Sequence, residues 1–215
     1  MGSRYLFLDQ LRFGETSEER NHAFEELVYM EEEGQIKEED LFELLDHEDQ
    51  VYQVYAIGAF GRKKIHKSVS KLKELYLKSD NPVILVALLR AFCDFSIGDF
   101  EAAVLKRIQQ KYWKRKFKLK IDLSQEKIFD KDFVLDQILL PSLKYLQIVG
   151  TSGAEKVVNV YLSHSDPVVR WHCLMFYKKR ELTIQQKILT EIAEKDDYAL
   201  NREIAVMMLR CQSKN

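Results

Sequence analysis

A repeat of 31 residues constrains the fold of this chain more than any other feature of its sequence. Asp49 and Asp80 are 31 residues apart, and so are Asp166 and Asp197. The positions 3, 7, 8 and 11 residues after each Asp are apolar, and this spacing places them on one face of a helix. In chain order these residues are Tyr52, Ala56, Ile57, Phe60, Val83, Ala87, Leu88, Ala91, Val169, Cys173, Leu174, Tyr177, Leu200, Ile204, Ala205 and Met208.

A second apolar pattern precedes each of these four Asp residues. Eight and five positions before them stand Leu41 and Leu44, Leu72 and Leu75, Val158 and Tyr161, and Leu189 and Ile192. Each repeat is therefore predicted to hold two helices joined by a tight turn that carries the Asp. A single helix pair cannot bury both apolar faces, so neighbouring pairs are expected to stack and to supply the core together.

The residues at the predicted turns suit the start of a second helix. In Ser165-Asp166-Pro167 the Asp side chain can accept hydrogen bonds from the first free N–H groups of the helix. Pro fits the first helical position because its missing N–H has no partner there in any case. We interpret Asp80-Asn81-Pro82 in the same way, with a helix beginning after the Asp.

The segment Asp166-Pro167-Val168-Val169-Arg170 resembles the D-P-x-V-R start of the second helix in HEAT-repeat proteins. It is similar in particular to the short bacterial HEAT-like repeats of phycobilin-lyase-type proteins, and the resemblance extends over roughly residues 37–215. It implies an all-α fold, a right-handed α-α superhelix or solenoid whose second helices line the concave side. The residues expected to face a ligand on that side are Gln53, Arg170, Trp171, Asn201 and Arg202.

One further repeat fits between Asp80 and Asp166. A unit anchored at Asp132 has Leu135, Leu139, Leu140 and Leu143 at the required offsets, and it leaves a surplus inside the third repeat because Asp132 follows Asp80 by 52 residues. Pro141 predicts a kink in that repeat's second helix. The predicted organisation is one domain, 1–215, with about five helix pairs. Its parts are an N-terminal helical cap at 4–36, repeats at 37–65, 66–98, 99–150, 151–181 and 182–215, and an insertion at 112–131.

The predicted cap consists of two helices. Thr16-Ser17-Glu18-Glu19 is a capping-box pattern that opens the second of them, and Gly34 suits its end. The apolar positions of this helix include Phe24, Leu27 and Val28.

The surplus in the third repeat is strongly basic and carries two adjacent aromatic residues. From Phe117 to Leu123 apolar and charged residues alternate, which is typical of an extended strand. A lone strand is unstable in water, so the segment packs over a solenoid edge, pairs with another segment such as Tyr5–Leu8, or becomes ordered on a partner. The candidate partner-binding residues in this stretch are Lys111, Tyr112, Trp113, Lys114, Arg115, Lys116, Lys118 and Lys120.

Opposite charges are separated along the chain. Residues 1–50 hold 16 acidic and 4 basic side chains, whereas residues 51–120 hold 5 and 16. Ion pairs between neighbouring repeats could neutralise many of these charges. Glu31–Glu33 and Glu38–Asp40 would then face the basic residues from Arg62 to Lys67. Charge therefore does not by itself indicate a ligand.

The function predicted from these features is a non-enzymatic, protein-binding scaffold that uses its concave surface and its charged insertion. Candidate roles are an immunity or inhibitor protein and a subunit of a larger assembly. The alternative is a nucleic-acid-binding HEAT-like protein that grips phosphates and stacks bases with the insertion. The sequence pI of about 6.5 and the acidic N-terminal region weigh against that alternative.

No pattern in the sequence indicates catalysis. His47-Glu48 resembles one His-Glu pair of the HEAT-repeat deoxyhypusine hydroxylases, whose di-iron site needs several such pairs, and His164 near Asp166 is interpreted as part of a turn. No catalytic, cofactor-binding or metal-binding residue is predicted.

Cys93, Cys173 and Cys211 are expected to be buried structural thiols. With neither a signal peptide nor an apolar run long enough for a membrane span, a cytoplasmic location is expected.

Overall fold

Twelve α-helices make up the parts of the chain, residues 3–109 and 131–213, that the computed structural model describes. No strand occurs within those two ranges, and the predicted all-α helical-repeat fold is confirmed. The helices are α1 (Ser3–Phe13), α2 (Ser17–Glu32), α3 (Glu38–Leu45), α4 (Gln50–Lys63), α5 (Val69–Lys78), α6 (Pro82–Phe95), α7 (Glu101–Ile108), α8 (Lys131–Val149), α9 (Glu155–Val158), α10 (Pro167–Lys179), α11 (Gln186–Lys195) and α12 (Ala199–Gln212).

The chain divides into two compact units, Met1–Phe95 and Ser96–Asn215. In the first unit α1 packs on α2, α3 on α4 and α5 on α6, so that consecutive helices form pairs. The second helices of neighbouring pairs, α4 and α6, also pack against each other. The fully buried core of this unit includes Leu27, Leu41, Ile57, Phe60, Leu72, Leu88 and Phe92.

The N-terminal pair follows the sequence prediction closely. Thr16 Oγ1 accepts a hydrogen bond from Glu19 N (3.1 Å), and the Glu19 carboxylate accepts one from Thr16 N (3.4 Å), so the predicted capping box is confirmed. Gly34 follows the C-terminal end of α2 with a φ of 70°, a left-handed conformation that favours glycine. The possible strand at Tyr5–Leu8 is wrong, because this segment lies within α1 and Leu8 is fully buried.

The turns repeat one hydrogen-bond pattern, although two of them are shifted by a residue. Asp49 Oδ1 accepts from Val51 N (2.8 Å) and Asp166 Oδ1 accepts from Val168 N (2.8 Å), as the sequence predicted. In the other two turns the side chains that accept are those of Asn81, from Val83 N at 3.0 Å, and Asp196, from Tyr198 N at 2.9 Å. The predicted anchors Asp80 and Asp197 are therefore each wrong by one position.

The shift at Asn81 turns α6 about its axis relative to the prediction. One residue corresponds to about 100° of rotation in an α-helix. The buried residues of α6 include Ile84, Leu88, Leu89 and Phe92, which stand 3, 7, 8 and 11 residues after Asn81. Val83, predicted as a core residue, is 51% exposed. The predicted core residue Leu200 in α12 is likewise exposed.

The second unit is built around α8, α10 and α12. In this unit α7 and α10 pack against α8, α12 packs against α10, and α11 pairs with α12. The first helix predicted for the fourth repeat is split into short pieces at Ser152–Ala154, α9 and Asn159–Ser163, yet Val158 and Tyr161 are buried as expected. Pro141 lies within α8, which continues on both sides of it.

The remaining predictions on single residues have mixed outcomes. Cys173 is fully buried, and burial raises the pKa of its thiol. Cys211 is exposed and Cys93 is half-buried, so the prediction of a buried thiol is wrong for Cys211. The residues 110–130, which include nearly all of the predicted insertion, lie outside the described residues.

Two glycines in α4 should respond oppositely to alanine. A Cβ atom at Gly61 would lie 2.8 Å from Asp94 Oδ2 and 3.0 Å from the Cα atom of Ala91, where α4 and α6 approach closely. Gly61→Ala should therefore lower the free energy of unfolding by about 1–3 kcal/mol, despite the higher helix propensity of alanine. Urea unfolding followed by circular dichroism measures this change.

Gly58→Ala is the matched control in the same helix. A Cβ atom at Gly58 would meet only the Arg62 guanidinium, at 3.0 Å, and that flexible side chain can move. The substitution should raise the free energy of unfolding by up to about 1 kcal/mol. Equal effects at both glycines would show that the close approach of α4 and α6 does not limit residue size.

Candidate binding surface

The structure locates five of the predicted partner-binding residues: Gln53, Arg170, Trp171, Asn201 and Arg202. The other eight, from Lys111 to Lys120, lie outside the described residues. Gln53 belongs to α4 in the first unit, and the remaining four belong to α10 and α12 in the second unit.

Arg170 is occupied by contacts within the second unit. Its Nε donates to Asp196 Oδ2 (2.7 Å) and its Nη2 donates to Asp196 Oδ1 (2.9 Å), which forms a bidentate ion pair. Its Nη1 donates to the carbonyl oxygens of His164 (2.7 Å) and Ser165 (2.8 Å). The Arg170 side chain thus joins the turn before α10 to the turn before α12.

Asn201 and Arg202 also contact Asp196. We call the four residues Arg170, Asp196, Asn201 and Arg202 the Asp196 cluster. Asn201 is fully buried, and its Nδ2 donates to Pro167 O (2.9 Å) and lies 3.2 Å from Asp196 Oδ1. Arg202 Nη1 donates to Asp196 O (2.6 Å). A ligand-facing role for Asn201 is wrong because its side chain has no exposed surface. For Arg170 and Arg202, the sequence pattern did not reveal these partners.

The Asp196 carboxylate is held in its ionised form by this cluster. Burial raises its pKa, but the hydrogen bonds from Arg170, from Tyr198 N and from Asn201 outweigh burial and hold the pKa below its usual range. A carboxylate with a lowered pKa in the folded state stabilises the fold above its unfolded pKa of about 3.9. That contribution is lost as the pH falls through the folded pKa.

Trp171 belongs to α10 and is half-buried. Its indole ring meets the His172 ring edge-on, with 4.8 Å between the ring centroids. Val168, one helical turn earlier, is exposed, and so are Leu200 and Met207 on α12. Apolar side chains on the second helices are therefore accessible in this unit.

Gln53 borders a polar depression of about 730 Å³ at the turn that precedes α4. The polar groups around it already bind one another: Gln53 Nε2 donates to His47 O (2.8 Å), and Arg12 Nε lies 2.6 Å from Asp49 Oδ2. A polar ligand would have to displace these contacts, so the depression offers little free hydrogen-bonding capacity.

Basic residues at the C-terminal ends of the second helices bind the ends of earlier helices. Near the end of α2, Lys63 Nζ donates to Glu31 O (2.7 Å) and Arg62 Nη2 lies 2.6 Å from Glu31 Oε1. At the end of α8, Arg180 donates to Leu146 O, Gln147 O and Gly150 O at 2.6, 3.2 and 2.5 Å. Cations at the C-terminal end of a helix stabilise its free carbonyl groups.

The ion pair of Arg62 with Glu31 confirms that opposite charges of neighbouring helix pairs compensate each other. Lys67 also pairs with Glu38, and Lys71 Nζ lies 2.5 Å from Asp46 Oδ2. Some of the positive charges of residues 51–120 are therefore neutralised by acidic side chains of the same chain.

An open apolar groove crosses α4 in the first unit, and we call it the α4 groove. Its volume is about 410 Å³. Apolar residues from four helices line it: Leu11, Phe24, Val51, Val54, Val83 and Ala87. Arg62, Arg90 and Asp94 stand on the side of the groove where α4 and α6 end. Phe24 is 40% exposed and Val83 is 51% exposed, so a partner could bury apolar surface here.

Sequence reasoning missed the α4 groove, although a signal for it exists. Counted from the true cap residues Asp49 and Asn81, Val51 and Val83 both stand at offset 2, and Gly58 and Arg90 both stand at offset 9. This is a helical face adjacent to the buried one. The apolar residues at offset 2 were the available signal, and they are recognised only once both helices are counted from their true caps.

No protein-family model matches the chain. A search of the curated proteins also found no match.

Within residues 3–109 and 131–213, no helix has the length and apolarity that crossing a membrane requires. No three or more His, Cys, Asp or Glu residues lie close enough in those ranges to hold a metal ion.

Proposed function

We propose that this protein is a non-enzymatic, protein-binding scaffold of the HEAT-like repeat type, and that the α4 groove is its principal docking surface. The observation that supports this most is the exposure of Phe24 and Val83 beside the half-buried Val51 and Val54. Fully burying one side chain of this size contributes about 1.5–3 kcal/mol, so a few of them suffice for specific binding. The basic insertion remains a second predicted contact site for the same partner.

The proposed setting is the cytoplasm, and the proposed role is that of an immunity or inhibitor protein or of a subunit in a larger assembly. These two roles predict different partners. An inhibitor would bind an enzyme or toxin and abolish its activity, whereas an assembly subunit would co-purify with a complex whose activity persists.

Photo-crosslinking from the groove tests this proposal. A photoreactive aromatic amino acid at Val83, introduced into the full chain and expressed in the native host, should crosslink one protein in stoichiometric yield. The same residue at Tyr29, which is 56% exposed on α2 and outside the groove, is the matched control. Val54→Glu should remove the crosslink from position 83. Equal crosslinking from both positions, or capture of nucleic acid alone, would contradict the proposal.

Nucleic-acid binding through Lys111 to Lys120 is the alternative, and the described residues favour it less. Arg62, Lys63, Lys179 and Arg180 contact backbone or acidic groups of the chain itself. The alternative requires oligonucleotide binding that weakens steeply with salt and with Lys→Glu changes at 114, 116 and 118.

A further inference from the structure

We propose that the occupant of the α4 groove is an amphipathic helix of a partner protein that presents an acidic side chain to Arg90 and a basic side chain to Asp94. This inference rests on the proposed protein-binding function and adds the conformation and the charge pattern of the bound segment. It follows from the backbone, the apolar surface and the charges around the groove.

The backbone around the groove favours a helical occupant. The lining residues belong to α1, α2, α4 and α6, whose N–H and C=O groups are hydrogen-bonded within each helix except at the ends. An extended peptide would leave its own backbone groups without partners on this apolar surface, and such groups are costly to bury. A helix satisfies its backbone internally and needs only an apolar face.

The floor of the groove is formed by α4, and because the Arg62 guanidinium lies 3.0 Å from where a Cβ atom of Gly58 would stand, its apolar part is provided by Val51 and Val54. Gly58 has no side chain, and Val54 and Val51 stand one and two turns before it on α4. Phe24 borders the groove on α2, while Val83 and Ala87 border it on α6. Apolar residues spaced three or four positions apart would therefore contact the floor and both sides.

Charge at the groove is supplied by Arg90 and Asp94. The Arg62 guanidinium is paired with the buried Glu31 carboxylate and lies 5.3 Å from the centroid of the Phe24 ring, so its charge is already balanced. Arg90 and Asp94 are exposed, and neither forms a hydrogen bond or an ion pair with any described residue. Both groups are solvated in the free protein, and a partner that covers them would keep them satisfied by bringing one charge of each sign.

The order of those two charges reports the orientation of the bound helix. Arg90 precedes Asp94 by one turn of α6. A helix antiparallel to α6 would carry its basic residue one turn before its acidic residue, and a parallel helix would carry them in the reverse order. Complementary charges at the edge of an interface contribute mainly to partner choice.

Selection from a displayed peptide library tests the inference without knowledge of the natural partner. The library encodes amphipathic helices about five turns long, with a fixed apolar face and randomised flanking positions. The baits are the full-length wild type, the charge-swapped variant Arg90→Glu/Asp94→Lys, and Val83→Glu. Tyr29→Glu serves as the control for a new charge at an exposed apolar site outside the groove. Circular dichroism confirms that each bait is folded.

The wild type should enrich peptides with one acidic and one basic position a turn apart, and the swapped variant should enrich the reverse charges. Binding of the enriched peptides should fall by roughly tenfold or more on Val83→Glu and stay unchanged on Tyr29→Glu. Identical peptides on the wild type and the swapped variant would overturn the charge assignment and leave the docking function standing. Equal binding to Val83→Glu would overturn both. Concentration-dependent dimerisation that Val83→Glu abolishes would make a second copy of the chain the occupant and overturn the inference.

Discussion

Replacing Arg170 with methionine should lower the free energy of unfolding by about 3–5 kcal/mol. Asp196 would then be a buried carboxylate without its guanidinium, since 1% of its side chain is exposed and Arg170 supplies two of its hydrogen bonds. The carbonyl oxygens of His164 and Ser165 would lose their donor as well. Urea unfolding at neutral pH, where Asp196 is ionised, measures the loss.

Asp197→Asn is the matched control because Asp197 also pairs with Arg170 but is 72% exposed. Its replacement should cost about 1 kcal/mol or less. The double variant Arg170→Met/Asp196→Leu should be more stable than Arg170→Met alone, since it removes the uncompensated charge. Similar losses for Arg170→Met and Asp197→Asn would indicate that the ion pair is solvated and that the Asp196 cluster does not hold α10 and α12 together.

Replacing Arg180 with methionine should lower the free energy of unfolding by about 2–3 kcal/mol. Three carbonyl groups at the end of α8 would lose a charged donor, and the guanidinium contact with the Phe176 ring, at 4.4 Å, would disappear. Methionine keeps much of the apolar length of the arginine side chain, so the change reports mainly on the lost hydrogen bonds. Thermal and urea unfolding both measure it.

Lys179→Met is the control for Arg180. Lys179 is exposed and makes a single 3.2 Å hydrogen bond to Ile148 O at the same helix end. Its replacement should change the free energy of unfolding by about 0.5 kcal/mol. Arg180→Lys should lie between the two, because one ammonium group cannot reach all three carbonyl oxygens. A loss at Lys179 as large as that at Arg180 would refute the specific capping role of the guanidinium.

The sequence predicted the local features of the fold because each depends on neighbouring residues. The capping box at Thr16 and Glu19, the cap at Asp166 and the end at Gly34 all follow from the chemistry of a few adjacent positions. The choice between Asp80 and Asn81 depends on the same chemistry, but either side chain could accept the hydrogen bond. Because two adjacent residues could both serve as the cap, the sequence did not decide between two rotations of α6 that differ by one residue.

The contacts that decide which polar residues are accessible could not be predicted in this way. Arg170 matched a HEAT-like motif, whereas its partner Asp196 stands 26 residues later and is recognised only when α10 and α12 are packed. Arg180 and the carbonyl groups it binds at the end of α8 are separated by about one repeat. A backbone carbonyl has no sequence signal, so a basic cluster that caps a helix resembles one that binds a ligand.

The position of Asn81 also has an evolutionary meaning. A rotation of α6 by one residue, about 100°, would exchange part of its buried face with the face that lines the α4 groove, because both faces carry apolar side chains. Substitutions on the surface alter it one side chain at a time, whereas a rotation of the helix presents a new set of side chains at once. A change in which turn residue caps α6 is thus a route by which related chains could acquire different partners.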